Sequence, residues 1–308
     1  MPRPLAGPGD ECISDLRQVP HKLIAHSDDT DLQTVYSWLM RHNLRTLLTG
    51  AVDDAVQYVL DGARTGRFDL NSPDVDSDER RTVGTKLQYR VLSALSLVKE
   101  RPLDTTIEGV PVDIKGTVRS NWTIPREAQC EICLLIQVDA ANDRHRAFLM
   151  RTHRRWLGEG NNQDGKKGIL VQARRAYALP VLDWTPLPKN PLKLLTEQQV
   201  AVVFDPHVGI KRRVAAMFGF LPEVIIPRAS IETVGANAKD PVRRARQAKP
   251  GVFEEHGLVV LVGTWVEQRQ LAARYGFDIR GDAWVAIRPE TLGGDFEAAK
   301  TLMLRTGS

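Results

Sequence analysis

Two aspartates and a lysine occur in one short stretch of the sequence. Its residue spacing predicts a β-hairpin that carries all three reactive side chains on one face. Glu108 and Gly109 form its two-residue turn, because glycine accepts a positive φ. Asp104 then lies opposite Asp113, and directly opposed residues of an antiparallel pair point to the same side, with Cβ atoms about 4.5–5.5 Å apart. Lys115 shares the side of Asp113, because the side chains of a strand alternate between its two faces.

Two carboxylates at this separation repel each other, so the pattern predicts a divalent cation between them. Mg²⁺ is typically held by one or two carboxylates, with water and phosphate oxygens completing its shell. An ammonium beside such an ion suits the hydrolysis of a phosphodiester, in which negative charge develops on the phosphate. An Asp-x-Lys pattern is also typical of a solvated strand face. The hairpin alone therefore leaves a metal-dependent phosphodiesterase and a plain surface strand both open.

Helices and strands around the hairpin predict an α/β (α+β) core with a small mixed sheet. Apolar periodicity predicts helices over residues 30–62 and 84–99, and strands over residues 130–138 and 147–150. Residues 71–81 are polar with a proline and predict a loop. The buried face of the second helix is predicted to consist of Leu87, Val91, Ala94, Leu95 and Val98.

The second half of the chain predicts a helical domain after a proline-rich stretch. Helices are predicted over residues 196–204, 209–218, 230–238 and 240–249, and a strand over residues 257–263. Asp240 suits the N-cap of the last helix, and Pro241 suits its first position. This order favours a winged helix-turn-helix, in which the basic helix would carry Arg243, Arg244 and Arg246 into the major groove of DNA.

Charge distribution points to a polyanionic partner. The 308-residue chain has a net charge of +4, and five clusters of basic residues occur along it. A polar loop at residues 158–168 offers four candidates for groove or phosphate contacts, with a mobile surface turn as the alternative. These candidates are Asn161, Asn162, Asp164 and Lys166.

The remaining composition excludes several classes of protein. The chain has no run of 18 apolar residues and no apolar secretory segment at its start, so we expect no membrane association and a cytoplasmic location. Three cysteines are too few for a disulfide framework. Cys130 and Cys133 open an apolar strand without a second cysteine pair or a suitably spaced histidine for zinc. Both are therefore predicted to be packing residues.

Four stretches in this order resemble the type IIE restriction endonucleases of the NaeI kind, over about residues 50–290. They are Asp61–Arg67, Thr106–Lys115, Glu159–Lys166 and Gly257–Gly263. The resemblance implies a nuclease core of the PD-(D/E)xK type followed by a winged-helix domain related to catabolite-activator-like DNA binders. With it we expect a flexible arm at residues 1–30, an endonuclease domain at 31–180, a Pro-rich linker at 181–194 and a winged-helix effector domain at 195–308.

The same resemblance implies a Mg²⁺-dependent homodimer that binds two copies of a GC-rich palindrome in double-stranded DNA. One copy would be cleaved and the other would act as an allosteric effector; the best-known member of the family reads GCCGGC. The metal-binding carboxylates of the family fall on Asp104 and Asp113, and its catalytic lysine falls on Lys115. Its glutamate on the preceding helix falls on Gln88, which keeps an acceptor oxygen without the charge. We therefore expect an active enzyme with a raised Mg²⁺ requirement.

Two other functions stay open. Gln88 would mark a weakened nuclease site if the chain were a sequence-specific DNA-binding protein that does not cleave. A repair or structure-specific nuclease would use the same hairpin. The second DNA-binding domain and the extent of the resemblance favour restriction.

Overall fold

The computed structural model describes residues 4–14, 19–159 and 164–305, which divide into two compact units. The first unit comprises Met1–Val59 and Val75–Pro188, and the second comprises Leu60–Asp74 and Lys189–Ser308. The second unit thus takes in a segment from the middle of the predicted endonuclease domain. Among the described helices, none is long and apolar enough to cross a membrane.

A five-stranded mixed sheet forms the centre of the first unit. Its strands are, in spatial order, β3 (Thr105–Ile107), β4 (Val110–Thr117), β6 (Ile132–Asp139), β7 (Arg144–Arg151) and β9 (Leu179–Pro186). β4 and β6 are parallel and the other neighbours are antiparallel. The mixed α/β architecture of the prediction is confirmed. β6 is apolar on both faces and buried along most of its length, as expected for a central strand.

Helices and short strand pairs surround this sheet. The other elements of the first unit are β1 (Glu11–Cys12), β2 (His21–Lys22), α1 (Thr30–Met40), α2 (Leu44–Leu60), α4 (Ser77–Ala94), β5 (Thr123–Ile124), β8 (Lys167–Gly168) and α5 (Val171–Tyr177). β1 pairs with β2, and β5 pairs with β8. The helical periodicity at residues 30–62 therefore corresponds to two helices with a break between them.

Helix α4 begins earlier and ends earlier than predicted. Asp76 caps it, because its side chain accepts hydrogen bonds from the backbone N–H groups of Asp78 and Glu79. The polar stretch that predicted a loop therefore contains the first turns of the helix. The helix ends at Ala94, so Val98 lies beyond it and is 73% exposed rather than on the buried face.

Two glycines allow α4 to cross β4 in backbone contact. A Cβ atom on Gly84 would lie 2.6 Å from the carbonyl oxygen of Gly116, and one on Gly116 would lie 2.9 Å from Cα of Gly84. Both distances are shorter than side chains tolerate. This close approach sets the height of α4 over the strand and brings Gln88, one turn after Gly84, to the hairpin.

The N-terminal segment is folded where it is described, contrary to the flexible arm that was predicted. Ala6, Cys12 and Leu23 are buried in the same apolar cluster as Trp156. The indole N–H of Trp156 donates to the carbonyl oxygen of Ala6 at 2.9 Å. The prolines and glycines that predicted disorder occur in a segment whose few apolar residues find partners far away in the sequence.

The predicted Pro-rich linker also differs from the structure. Its first half belongs to β9, an edge strand of the sheet paired with β7. Proline lacks a backbone N–H and is tolerated on edge strands, where no further strand needs that donor. Pro180 and Pro186 are therefore compatible with a strand at this position.

The second unit is mainly helical. Its elements are α3 (Gly62–Thr65), α6 (Glu197–Val203), α7 (Ile210–Phe220), α8 (Arg228–Val234), α9 (Pro241–His256), β10 (Val259–Val262), α10 (Val266–Arg274), β11 (Trp284–Ile287), α11 (Pro289–Leu292) and α12 (Phe296–Leu304). The four predicted helices and the predicted strand are present. Asp240 caps α9 through a hydrogen bond from the N–H of Arg243, and Pro241 is the first helical residue.

The connection between β10 and β11 differs from the short hairpin that forms the wing of a winged-helix domain. The two strands are antiparallel, and α10 lies between them in the sequence instead of a short turn. The winged-helix interpretation stays a hypothesis.

The segment Leu60–Asp74 joins the second unit through contacts that are distant in sequence. Asn237 donates through its backbone N–H to the carbonyl oxygen of Ala63 at 3.0 Å and through Nδ2 to that of Arg64 at 2.7 Å. The rings of Phe68 and Phe204 stack with centroids 5.4 Å apart. These contacts hold the stretch that carries one of the family-like motifs.

Candidate active site

The hairpin has the predicted register. Ile107 pairs with Val110, and the two turn residues, Glu108 and Gly109, have φ angles of 50° and 81°. Both positive angles match a two-residue turn of the kind that joins twisted antiparallel strands. Asp104 lies just before β3, on the extension of this pairing toward Asp113.

Asp104 is held by three donors in a buried position. Its Oδ2 accepts a hydrogen bond from the backbone N–H of Ile114 at 2.8 Å. Its Oδ1 accepts from Lys99 Nζ at 2.5 Å and from the side-chain amide of Gln88. The carboxylate is 4% exposed, so these bonds fix its orientation.

Asp113 and Lys115 form an ion pair on the neighbouring strand. Lys115 Nζ lies 3.1 Å from Oδ1 and 3.0 Å from Oδ2 of Asp113. Asp113 is 2% exposed, and Cys133 Sγ lies 3.9 Å from its Oδ2. Cys133 is a buried packing residue, as predicted. The structure therefore brings together Gln88, Asp104, Asp113 and Lys115.

Burial and charge act differently on the two members of this pair. Burial raises the pKa of Asp113 to about 6, with Lys115 opposing the rise and Asp104 adding to it. Burial alone would lower the pKa of Lys115, but attraction to Asp113 and Asp104 outweighs it and raises the pKa. Two carboxylates raise the pKa of the lysine, whereas Asp113 is influenced by one cation, Lys115, and by two anions, Asp104 and Glu127. Each carboxylate is already paired with an ammonium, Asp104 with Lys99 and Asp113 with Lys115. Burial nevertheless raises the pKa of Asp113, so a further cation beside it would favour its ionised form.

The donor set suits a hard divalent cation. The two carboxylates are buried, they influence each other electrostatically, and their oxygens are the ligands that Mg²⁺ prefers. Gln88 contributes an amide whose oxygen is a weaker ligand than a carboxylate.

A cavity of about 390 Å³ opens beside these residues. Gln88, Ile114 and Lys115 form part of its wall. Further basic and amide side chains of the wall are Arg81, Arg119, Asn121 and Lys166. Such a wall is suited to the phosphates of a nucleic acid.

Sequence reasoning missed several residues of this site. Lys99 was assigned to the helix before the hairpin, whereas it follows that helix and reaches Asp104. Arg81, Arg119 and Asn121 carry no local pattern that marks them as site residues. Their proximity results from the crossing of α4 over β4, which a one-dimensional pattern does not contain.

The predicted DNA-contacting residues have mixed placements. Lys166 lines the cavity and forms an exposed ion pair with Asp164 at 3.3 Å. Asn161 and Asn162 lie outside the described residues. The three arginines of the basic helix are on α9 in the second unit, where Arg243 and Arg244 are exposed and Arg246 lies over the ring of Trp265.

Comparison with known families identifies the class of protein. The family model described as restriction endonuclease NaeI matches residues 44–292, which is more than half of the chain. No curated protein matches the chain significantly. Restriction endonucleases bind double-stranded DNA and cleave it, which agrees with the basic cavity beside the aspartate hairpin. The chain therefore belongs to the NaeI family of restriction endonucleases.

Proposed function

We propose that this restriction endonuclease is a Mg²⁺-dependent type II enzyme that breaks both strands of a short GC-rich palindrome. One observation carries the proposal: Asp104 and Asp113 are buried together, with Lys115 Nζ 3.0 Å from Asp113 and a basic cavity alongside. Asp104 and Asp113 would hold the metal. GCCGGC is the first sequence to test, because the best-known member of the family reads it.

The residues of the chain have separate tasks in this mechanism. Asp104 and Asp113 would hold the metal ion, which when bound would offset charge on the scissile phosphate and lower the pKa of the attacking water. Lys115 orients that water and offsets the charge that develops on the phosphate. Gln88 and Lys99 hold Asp104 through hydrogen bonds, so that the carboxylate keeps its orientation when DNA binds.

DNA is proposed to contact both units. In the first unit the candidates are Asn161, Asn162, Asp164 and Lys166, of which Lys166 is supported by its place in the cavity wall. In the second unit Arg243, Arg244 and Arg246 of α9 would bind a second DNA copy as effector. Cutting both strands of a palindrome calls for two active sites related by a two-fold axis, so we propose a homodimer.

Incubation of plasmid DNA with the protein, with and without Mg²⁺, tests this function. We expect discrete fragments only with Mg²⁺, and their mapped ends give the recognition sequence. Asp113→Asn should abolish cleavage while a gel shift persists. Asp139→Asn is a matched control, because Asp139 is an aspartate of the same sheet that pairs with Arg144 at 2.9 Å, and it should cleave normally.

Other outcomes would assign the alternatives. A gel shift by the wild-type protein without any cutting would indicate a DNA-binding protein with a weakened site. Cutting confined to branched or damaged DNA would indicate a repair nuclease. Cleavage by Asp113→Asn at the wild-type rate would contradict the site itself.

A further inference from the structure

Two cysteines and two histidines meet at a second place in the first unit. The ligating atoms of Cys12, His21, Cys130 and His153 all lie within 4.8 Å of one another. Cys12 and Cys130 are 118 residues apart in the sequence, and His21 and His153 are 132 residues apart. Because of this separation, the residue spacing around the Cys-x-x-Cys motif shows no zinc pattern.

The backbone presents the four residues as two opposed pairs. Cys12 on β1 pairs directly with His21 on β2. Cys130 lies two residues before β6 and His153 two residues after β7, and β6 and β7 are antiparallel neighbours in which Ile132 opposes Arg151. Each strand pair therefore contributes one thiol and one imidazole at its end.

The spacing of like atoms matches a tetrahedral zinc ion. The two Sγ atoms are 3.7 Å apart, and Nε2 of His21 is 3.3 Å from Nδ1 of His153. A regular tetrahedron has edges about 1.63 times its centre-to-corner length, so Zn–S bonds of about 2.3 Å and Zn–N bonds of about 2.05 Å give edges of about 3.75 Å and about 3.35 Å. A disulfide would place the sulfurs at about 2.05 Å. The widest of the other separations, no more than 4.8 Å, would close by about 1 Å around an ion.

The surroundings of Cys130 also suit a metal-bound thiolate. The backbone N–H of Arg154 points at Cys130 Sγ from 3.3 Å, and such a donor stabilises negative charge on sulfur. Cys130 has a φ of 70°, in the left-handed region that non-glycine residues rarely adopt. Backbone strain of this kind is concentrated at binding sites, where the surrounding structure enforces it.

We propose that Cys12, His21, Cys130 and His153 bind one Zn²⁺ ion that fastens the N-terminal strand pair β1–β2 to the central sheet. Sulfur and nitrogen ligands select zinc over Mg²⁺, and two thiolates offset its charge. Four protein ligands leave no open position, so the role is structural. Cys12, Cys130 and His153 are each no more than 2% exposed, and His21 is half-buried, so the site is largely shielded from solvent.

Metal analysis of the purified full-length protein tests the site. Elemental analysis by mass spectrometry should find one zinc per chain, and refolding with Co²⁺ should give the visible d–d bands and the sulfur-to-cobalt charge transfer of a tetrahedral thiolate site. Cys12→Ser and His153→Ala should lose the metal. Cys133→Ala and His42→Gln are matched controls outside the cluster, and both should retain it.

Two outcomes of the metal analysis would overturn the proposed zinc site. A wild-type chain with less than about a tenth of an equivalent of zinc, even after refolding with added Zn²⁺, and with no cobalt spectrum, would overturn the proposal. Retention of zinc by both ligand variants would overturn it as well. If the ligand variants fail to fold, the cobalt spectrum of the wild type still decides, because its charge-transfer band requires thiolate ligands. The readout is metal content, so the result does not depend on whether the protein cleaves DNA.

Discussion

The aspartate hairpin and the Cys/His cluster lie in the same unit but differ in donor atoms, access and assembly. Asp104 and Asp113 offer oxygen and are buried, but their neighbours Gln88 and Lys115 line an open cavity. The cluster offers sulfur and nitrogen, and none of its four residues lines that cavity. The hairpin donors are nine residues apart in sequence, while Cys12 and Cys130 come from distant parts of the chain. Oxygen donors next to a cavity suit an exchangeable ion that meets DNA, and closed sulfur and nitrogen donors suit a permanent ion.

Strand β6 connects the Cys/His cluster to the aspartate hairpin. Cys130 lies just before β6, and Cys133, on the same strand, packs 3.9 Å from Asp113. A proposed zinc ion at the start of β6 would therefore fix the strand against which Asp113 packs. We therefore expect DNA cleavage to require Mg²⁺ at the aspartate hairpin and folding to require zinc at the cluster. Loss of zinc should nevertheless destabilise the strand against which Asp113 packs.

The largest effect is expected from the ammonium of the hairpin. Lys115→Ala should lower the rate of DNA cleavage by about 10³-fold or more, because it removes the positive charge proposed to offset charge on the scissile phosphate. Its zinc content should equal that of the wild type. Single-turnover cleavage and elemental analysis on the same preparation measure both quantities. Lost zinc in this variant would contradict the independence of the two centres.

The next effect is on folding. Cys12→Ser should lower the free energy of unfolding by about 2–5 kcal/mol. A structural metal binds the folded chain and not the unfolded one, so its binding free energy adds to the stability of the fold. Urea denaturation followed by circular dichroism measures the change, with Cys133→Ser as the matched control. An unchanged denaturation midpoint would show that the cluster does not fasten the N-terminal strands.

A smaller effect concerns the protonation of Asp113. Its pKa in the folded protein, about 6, lies above the value of about 3.9 in an unfolded chain. The protonated carboxyl therefore favours folding, and this stabilisation is complete below about pH 4 and lost as the pH rises through about 6. Without divalent ions, Asp113→Asn should exceed the wild type in unfolding free energy by about 1–3 kcal/mol at neutral pH and by little near pH 4.

Denaturation curves at a series of pH values measure this difference. A difference that stays constant with pH would mean that burial does not shift the pKa of Asp113. Cleavage by the wild type should rise through the same pH range, because the ionised carboxylate is the form that binds a cation.

The smallest effect is expected at Gln88. Gln88→Glu should lower the Mg²⁺ concentration for half-maximal cleavage by about 3–10-fold, because a third carboxylate strengthens the attraction for the cation. Gln88→Met, which removes the acceptor oxygen, should shift it in the opposite direction. A Mg²⁺ titration of the cleavage rate measures both, and identical midpoints in all three proteins would remove Gln88 from the metal site.

The elements that the sequence predicted well depend on local physics. The turn at Glu108 and Gly109 follows from backbone preferences of two residues, and it fixes the register of Asp104 and Asp113 without outside help. The sequence predicts four helices of the second unit, α6 to α9, and the start of α9 follows from its cap, whereas α10, α11 and α12 were missed. Asp104, Asp113 and Lys115 could be identified from the sequence because their relative positions depend only on this local turn.

The errors occurred where distant contacts decided the outcome. The N-terminal segment looked disordered by composition, yet Ala6 and Leu23 find apolar partners more than a hundred residues away. β9 looked like a linker because of its prolines, and it is a strand because an edge position was free. The segment Leu60–Asp74 belongs to the second unit through contacts with residues such as Asn237 and Phe204.

The sequence by itself determined the aspartate hairpin, its lysine and most helices, because each depends on neighbours within a few residues. Only the tertiary structure placed Lys99 on Asp104 and set α4 against β4 through Gly84 and Gly116. It also brought Cys12 to Cys130, although nothing in the spacing of the cysteines marks them as partners. The physical reason is that contacts between residues distant in the sequence depend on how buried surfaces pack across the whole unit. A local sequence pattern does not contain this information.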